Sequence, residues 1–331
     1  MTSLPFVLLH PADDYGCGKY RVRWPFDVLQ RAGLAQGVIS PYLLDAHTLA
    51  DIAPDVVVFQ RLIELDQIAR LKQYRKETDA FFVFELDDLI TNIPGDNRFA
   101  GLFPRQTLDR LKQAIGLCDR LVVSTLALAE TFGVFAPDVV VCPNALPNTP
   151  WASLSGTRRR GGKLRVGWAG SSSHLGDLKL LYPVVKATAH LVDWVFLAAL
   201  PNVLHRYAAE AHLPVPIEDY PAKLASLDLD LAVAPLEIHP YNDAKSHLRL
   251  LELGAMGFPV ICSAGVGAFD YDLPVTRVDN RPDAWIEAIV VAIGDRDALA
   301  RQGDALRQAI HDHWLMDGRA AEWAAAWGLP R

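Results

Sequence analysis

Nine short apolar runs, rich in β-branched and aromatic residues, recur along this chain between longer stretches with apolar residues at helical spacing. Five of them occupy residues 6–10, 56–60, 81–86, 121–125 and 139–143; four occupy 164–170, 194–201, 229–236 and 260–264. Uninterrupted apolar strands alternating with helices predict parallel sheets covered on both faces. Between the two series lies PNALPNTPWASLSGTRRRGGK, residues 143–163, whose Pro, Gly, Asn and Ser content marks a linker. The reading is an α/β chain of two Rossmann-like, doubly wound domains. The first covers residues 1–148, the linker 149–163 and the second domain 164–310. Residues 311–331 form a closing segment, with a helix predicted over 312–327. Its Trp314, Trp323 and Trp327 need cover, which predicts a return to the first domain. Two such sheets leave a cleft between their carboxyl edges, where folds of this kind bind ligands.

The stretch PYNDAKSHLRLLELGAMGFPVICS follows the strand at 229–236. With Asn242 or Asp243 as N-cap, Lys245 falls in the first turn of a helix that Gly257 and Pro259 end. Leu248, Leu251 and Ala255 share one face, suited to packing on the sheet. Lys245, Arg249 and Glu252 share another. On spacing alone that stripe is either a solvated salt bridge or a functional face. A lysine at the positive end of a helix dipole is unfavourable by ~0.3–1 kcal/mol unless an anion sits there. The amides of Lys245, Ser246 and His247 are expected to point at the same place. The helix also follows the strand at 229–236, so its N-terminus faces the cleft, and a bound anion there is the reading that explains all three.

Other stretches carry candidate chemistry. Gly170, Ser171, Ser172 and His174 follow a strand and open a helix, a turn that either cradles phosphate or simply caps. The stretch YGCGKYRVRWP, with Gly16, Gly18 and Arg21, follows the first strand; it is not G-x-G-x-x-G, so the dinucleotide fingerprint fails. FELDDL places Glu85, Asp87 and Asp88 at the end of a strand. A carboxylate there suits orienting or deprotonating a hydroxyl, or binding a metal; Asp88 capping the next turn is the plainer alternative.

Composition narrows the field. A formal net charge of −7 disfavours duplex nucleic acid or an anionic membrane as a partner; the basic run Arg158–Arg160 falls in the linker. Four scattered cysteines without C-x-x-C spacing argue against a zinc site and a disulfide framework. MTSLPFVLLHPADD reads as a first strand and not a signal peptide. No apolar stretch approaches the ~18 residues of a membrane span. The expected location is the cytoplasm, with at most peripheral membrane contact.

The run DLDLAVAPLEIHPYNDAKSHLRLLELGAMGFPVICS resembles the donor-binding segment of retaining GT-B glycosyltransferases of family four and their bacterial polysaccharide relatives. RVGWAGSSSHLGDL resembles the first strand and phosphate loop of their second domain, FELDDL an acidic turn of their acceptor domain, and VVVCPNALP the strand leaving the first. DAWIEAIVVAIGDRDALARQGDALRQAI resembles their closing helices, so the likeness spans nearly the whole chain. It implies transfer of a sugar from a nucleotide-diphosphate donor to a glycan, lipid-linked or protein acceptor, with retention of configuration. The implied setting is surface polysaccharide or glycoconjugate synthesis, without metal or cofactor. It implies further that Glu252 holds the ribose hydroxyls and that Lys245 neutralises the leaving diphosphate. The loop at Gly16, Gly18 and Arg21 then lines the acceptor side, Asp87 and Asp88 serve the acceptor, and Tyr220 lies by the base. The family's usual glutamate eight positions before Glu252 is here Ala244, and the neighbouring Asp243 is the carboxylate expected to substitute for it. Two rival readings are a GT-B sugar-nucleotide epimerase and a non-catalytic nucleotide-sugar-binding module.

Overall fold

The computed structural model describes residues 3–158 and 161–330. Arg159 and Arg160 of the basic run therefore lie outside the described residues. Among these residues twelve strands form two separate, wholly parallel sheets of six. The first sheet contains β1 (Phe6–His10), β2 (Gln36–Ile39), β3 (Val56–Gln60), β4 (Phe81–Leu86), β5 (Arg120–Val123) and β6 (Val139–Val141), ordered β2-β1-β3-β4-β5-β6. The second contains β7 (Arg165–Gly170), β8 (Asp193–Ala198), β9 (Ala208–His212), β10 (Leu231–Ala234), β11 (Val260–Ser263) and β12 (Thr276–Val278), ordered β12-β11-β10-β7-β8-β9.

The central strands are buried along their length because helices cover both faces. Val7, Val57, Phe84 and Val122 of the first sheet and Val166, Val195 and Ala232 of the second expose essentially nothing. The sequence pattern misses β2, β9 and β12, and all three are sheet edges. Their sequences, QGVI, AAEAH and TRV, alternate half-buried and exposed positions, so no continuous apolar run announces them.

Residues 151–158 pack on the second sheet's domain. Trp151 is buried there, the Gly156 N–H donates to the Met256 carbonyl at 2.9 Å, and Arg158 donates to the Gly257 carbonyl at 2.8 Å. The helix predicted over 312–327 does not form as one piece. A helix over Arg296–His313 ends at Trp314, and a second runs over Ala320–Ala326. Between them the chain runs beside residue 146: the Leu146 N–H donates to the Trp314 carbonyl (2.9 Å) and the Met316 N–H to the Leu146 carbonyl (2.8 Å). Those bonds replace helical ones. Trp323 and Trp327 then bury against Val7, Leu9, Phe26 and Val83 of the first domain, whereas Trp314 stays on the second, against His247 and Tyr271.

Candidate functional site

In a doubly wound sheet the crevice forms where chain order reverses, because the loops on either side leave in opposite directions. In the second sheet that point lies between β7 and β10. A cleft of about 850 Å³ opens there, and the first domain closes its other side with Asp14–Cys17, Tyr20, Asp87 and Asp88.

The helix carrying Glu252 begins later than its sequence suggests. Pro240–Asp243 form one isolated turn, and the helix proper runs over Leu248–Ala255. Both candidate caps are engaged elsewhere. The Asn242 amide donates to Asp177 (3.0 Å) and to the Glu237 carbonyl (2.9 Å), and Asp243 accepts the Gly267 N–H (3.0 Å). Lys245 thus precedes the helix, and its N–H donates to the Asn242 carbonyl at 3.2 Å. The expected cluster of three free amides at 245–247 does not form. The Lys245 side chain still lines the cleft, with its ammonium 3.8 Å from Asp88 across the domains and 4.4 Å above the Tyr241 ring. Burial works to lower its pKa, but Asp88 and Tyr241 raise it beyond that, so the net shift is upward and the charge is retained. Ser246 also lines the cleft and accepts from the Asn144 amide at 2.9 Å.

His247 does not reach the cleft. Its buried ring stacks on Tyr271 with centroids 3.7 Å apart, its edge meets Trp314, and burial lowers its pKa to about 3. Ala244 is 1% exposed, packs with core residues of the first domain and accepts a hydrogen bond from the Thr125 hydroxyl at 2.9 Å. With Asp243 engaged by Gly267, no carboxylate at 243 or 244 lines the cleft.

Glu252 is buried at the cleft wall, 7% exposed. Its Oε1 accepts from the Tyr20 hydroxyl (3.0 Å) and its Oε2 from the Tyr220 hydroxyl (3.2 Å), with Arg249 Nε at 3.6 Å from Oε2. Burial raises its pKa, while Arg249 and the two phenols oppose that rise. The stripe is therefore an enclosed charge cluster and not a wet surface. Arg249, read from sequence only as an ion-pair partner, lines the cleft against Gly170. A Cβ at Gly170 would stand 2.6 Å from the Trp168 ring and 2.7 Å from the Arg249 guanidinium. Absence of a side chain at 170 makes room for the arginine.

The turn after β7 also lines the cleft. Ser171 caps it by accepting the Ser173 N–H, and Ser172 accepts from Arg98 of the first domain at 2.6 Å. His174 Nδ1 lies 2.9 Å from Asp177, and burial lowers the imidazole's pKa to about 4, leaving it neutral at physiological pH. Tyr220 begins a short helix, Tyr220–Ala225, and faces the same space.

The first domain's contribution differs from expectation at two positions. Arg21 is fully buried: its guanidinium donates to Glu85 (3.1 and 2.8 Å), the Cys142 carbonyl (2.7 Å) and Asn144 (2.9 Å), and lies 4.7 Å over Trp323. It holds the domain together and does not face an acceptor. Gly18 is buried, and a Cβ there would lie 1.8 Å from the Asp13 carbonyl oxygen, so the position requires glycine for packing; only Gly16 of the two glycines lines the cleft. The cause lies in the Lys19–Arg23 segment, a π-helical turn. Its wider winding directs Tyr20 to the cleft and Arg21 inward, an outcome that spacing at an ordinary helical period does not predict. Asp87 and Asp88 both line the cleft, and both accept from Arg61, at 2.8 and 3.0 Å.

Among the described residues, no group of three or more His, Cys, Asp or Glu side chains is arranged to hold a metal ion. Nor is any helix there long and apolar enough to cross a membrane.

No family model and no curated protein sequence matches the chain. Solved structures do. Anabaena HepE, solved with UDP and glucose, aligns over 98% of this chain and 99% of its own, at 11% identity and a TM-score of 0.69. A glycosyltransferase from Rickettsia africae aligns over 99% and 98%, at 13% identity and 0.67. A trehalose-6-phosphate synthase, studied with bisubstrate glycomimetics, aligns over 98% and 99%, at 10% identity and 0.66. Likeness over the full length of these glycosyltransferases, with two facing parallel sheets, gives this chain the GT-B fold.

Proposed function

We propose that this protein is a retaining glycosyltransferase that moves a sugar from a nucleotide-diphosphate donor to a hydroxyl acceptor, in surface polysaccharide or glycoconjugate synthesis. Residues 164–310 form the donor side and 1–148 the acceptor side, and the reaction runs in the cytoplasm without metal or cofactor. The observation that carries this reading is Glu252, a buried carboxylate held by two phenols beside Lys245 and Arg249 in one cleft. A carboxylate oxygen presents about two acceptor sites, and each tyrosine occupies one, so a ribose diol takes the others. Lys245, Arg249 and the 170–174 turn receive the diphosphate and stabilise the charge that grows on it as the glycosidic bond breaks. Asp88, facing Lys245 from the opposite wall, orients or deprotonates the acceptor hydroxyl.

The neighbour solved with UDP and glucose makes uridine diphosphate the first headgroup to test. A nucleoside diphosphate should raise the melting temperature by mass action. Incubation of UDP-sugars with mixed acceptors should then yield product with the donor's anomeric configuration, read by NMR. The reading fails if no nucleoside diphosphate binds at millimolar concentration. The absence of a carboxylate at 243 or 244 in the cleft favours one second reading, a non-catalytic nucleotide-sugar-binding module. It predicts binding with neither transfer nor donor hydrolysis.

A further inference from the structure

The first sheet has a reversal point of its own, between β1 and β3, and a second crevice of about 560 Å³ opens there. That volume falls in the range of small-ligand sites, ~300–1,000 Å³. It is lined by the loops after β1, β2 and β3, by the start of the helix Leu65–Glu77 and by Phe103. Arg61 forms part of its wall, and the Asp87 and Asp88 that Arg61 holds line the main cleft. The two spaces are neighbours on one sheet edge.

The lining excludes several kinds of occupant. Among the described residues of the lining an anion finds no free arginine or lysine: Arg61 is paired with two aspartates, and Arg70 is bound by both carboxylate oxygens of Glu77, at 2.9 and 2.7 Å. A hydrocarbon chain is disfavoured by charged and amide side chains on every side, Asp13, Gln60, Glu64 and Gln67 among them. Two groups stand free. Among the described residues the Asp66 carboxylate has no hydrogen bond or ion pair and the Tyr42 hydroxyl has no partner, and Tyr42 is 79% exposed. An exposed aromatic ring together with a free carboxylate acceptor suits a neutral, hydroxyl-rich ligand whose C–H face lies on the ring.

We infer that this crevice binds the distal sugar of a saccharide acceptor, so that the acceptor is an oligosaccharide of at least two residues. Its reacting end lies by Asp88 and its far end against Tyr42 and Asp66. The inference rests on the proposed transfer reaction for its direction, and on the crevice alone for its ligand class.

The test uses saturation-transfer NMR on the intact chain with maltotriose, cellotriose, chitotriose and mannotriose, with and without saturating UDP. At least one trisaccharide should bind with UDP present, and Tyr42→Ala or Asp66→Asn should weaken it about fivefold or more, as truncation of an anchoring contact does. Nucleotide affinity should stay unchanged in both variants. Absence of binding by all four sugars, equal binding to both variants, or displacement of the sugar by inorganic phosphate would overturn the inference. UDP binding without sugar binding defeats the crevice alone. Sugar binding without binding of any nucleoside diphosphate defeats the donor reading and leaves the crevice as a saccharide site.

Discussion

Replacing Glu252 with Gln keeps the shape of the side chain and removes its charge at the centre of the cleft. In the free protein both carboxylate oxygens accept phenolic hydrogen bonds, at 3.0 and 3.2 Å. Bonds to a charged group are worth ~1.5–3 kcal/mol and neutral ones ~0.5–1.5. The loss is offset by relief of burying a charge, the burial that already raises this carboxyl's pKa. Stability should therefore change by no more than about 1–2 kcal/mol, and the variant should fold. Binding has no such offset. A ribose diol donates two bonds to the carboxylate and weaker ones to the amide, so a loss of about 1.4 kcal/mol, or tenfold in Kd, is expected. A 2′-deoxynucleotide lacks one of those bonds and should lose about threefold by the same reasoning. Calorimetry of UDP and dUDP on both proteins gives four constants, whose double ratio isolates the carboxylate–diol contact from any general disturbance. If the ribo-to-deoxy ratio is the same in Glu252→Gln as in the wild type, Glu252 does not hold the ribose and the donor placement is wrong.

Other expectations follow from neighbouring groups. Lys245→Ala leaves Asp88 paired with Arg61 at 3.0 Å, so folding should survive; UDP should bind about tenfold or more weakly while uridine is unaffected, and equal loss for both would make the lysine structural. Arg21→Ala leaves the buried Glu85 carboxylate, among the described residues, with the Trp327 indole N–H (3.0 Å) as its one remaining partner, which should cost about 3–5 kcal/mol in urea denaturation; a cost under about 1 kcal/mol would contradict the role assigned to that pair. Burial holds His10, His174 and His247 to pKa values of about 4, 4 and 3. The unfolded chain takes up these protons as pH falls through about 6.5 while the folded one does not, so this stability is complete at pH 7 and is lost between about 6.5 and 4. Ring NMR signals for all three should stay neutral from pH 7.5 to 5, and a midpoint near 6.5 for any of them would refute the assignment.

The apolar runs of the sequence are enough to place nine of the twelve described strands, eight interior and the edge strand β6, and to separate them into two series. A strand buried on both faces is apolar at most positions, with its few polar residues, such as Gln60 and Glu85, near its end, and that requirement is local. That Glu252, Lys245 and the 170–174 turn lie at the cleft is legible for a related reason: each comes after a strand's carboxyl end, and strand direction in a parallel sheet fixes which end faces the cleft. Three of the four edge strands, β2, β9 and β12, escape because only one flank is covered and their composition is free to vary; the fourth, β6, is legible because its three residues are all valine. The helix start at Leu248 escaped because Asn242 and Asp243, adequate caps by composition, are drawn to Asp177 and to Gly267 by folding of distant segments. Arg21, expected at the cleft, lies in the core, and its neighbour Tyr20, which the sequence did not single out, lines the cleft instead, through one widened turn at Lys19–Arg23. Arg249 owes its place to a glycine 79 positions earlier. Burial and backbone winding are properties of the assembled molecule: a side chain's surroundings depend on elements hundreds of residues away, and no local pattern encodes which of two polar neighbours they will enclose.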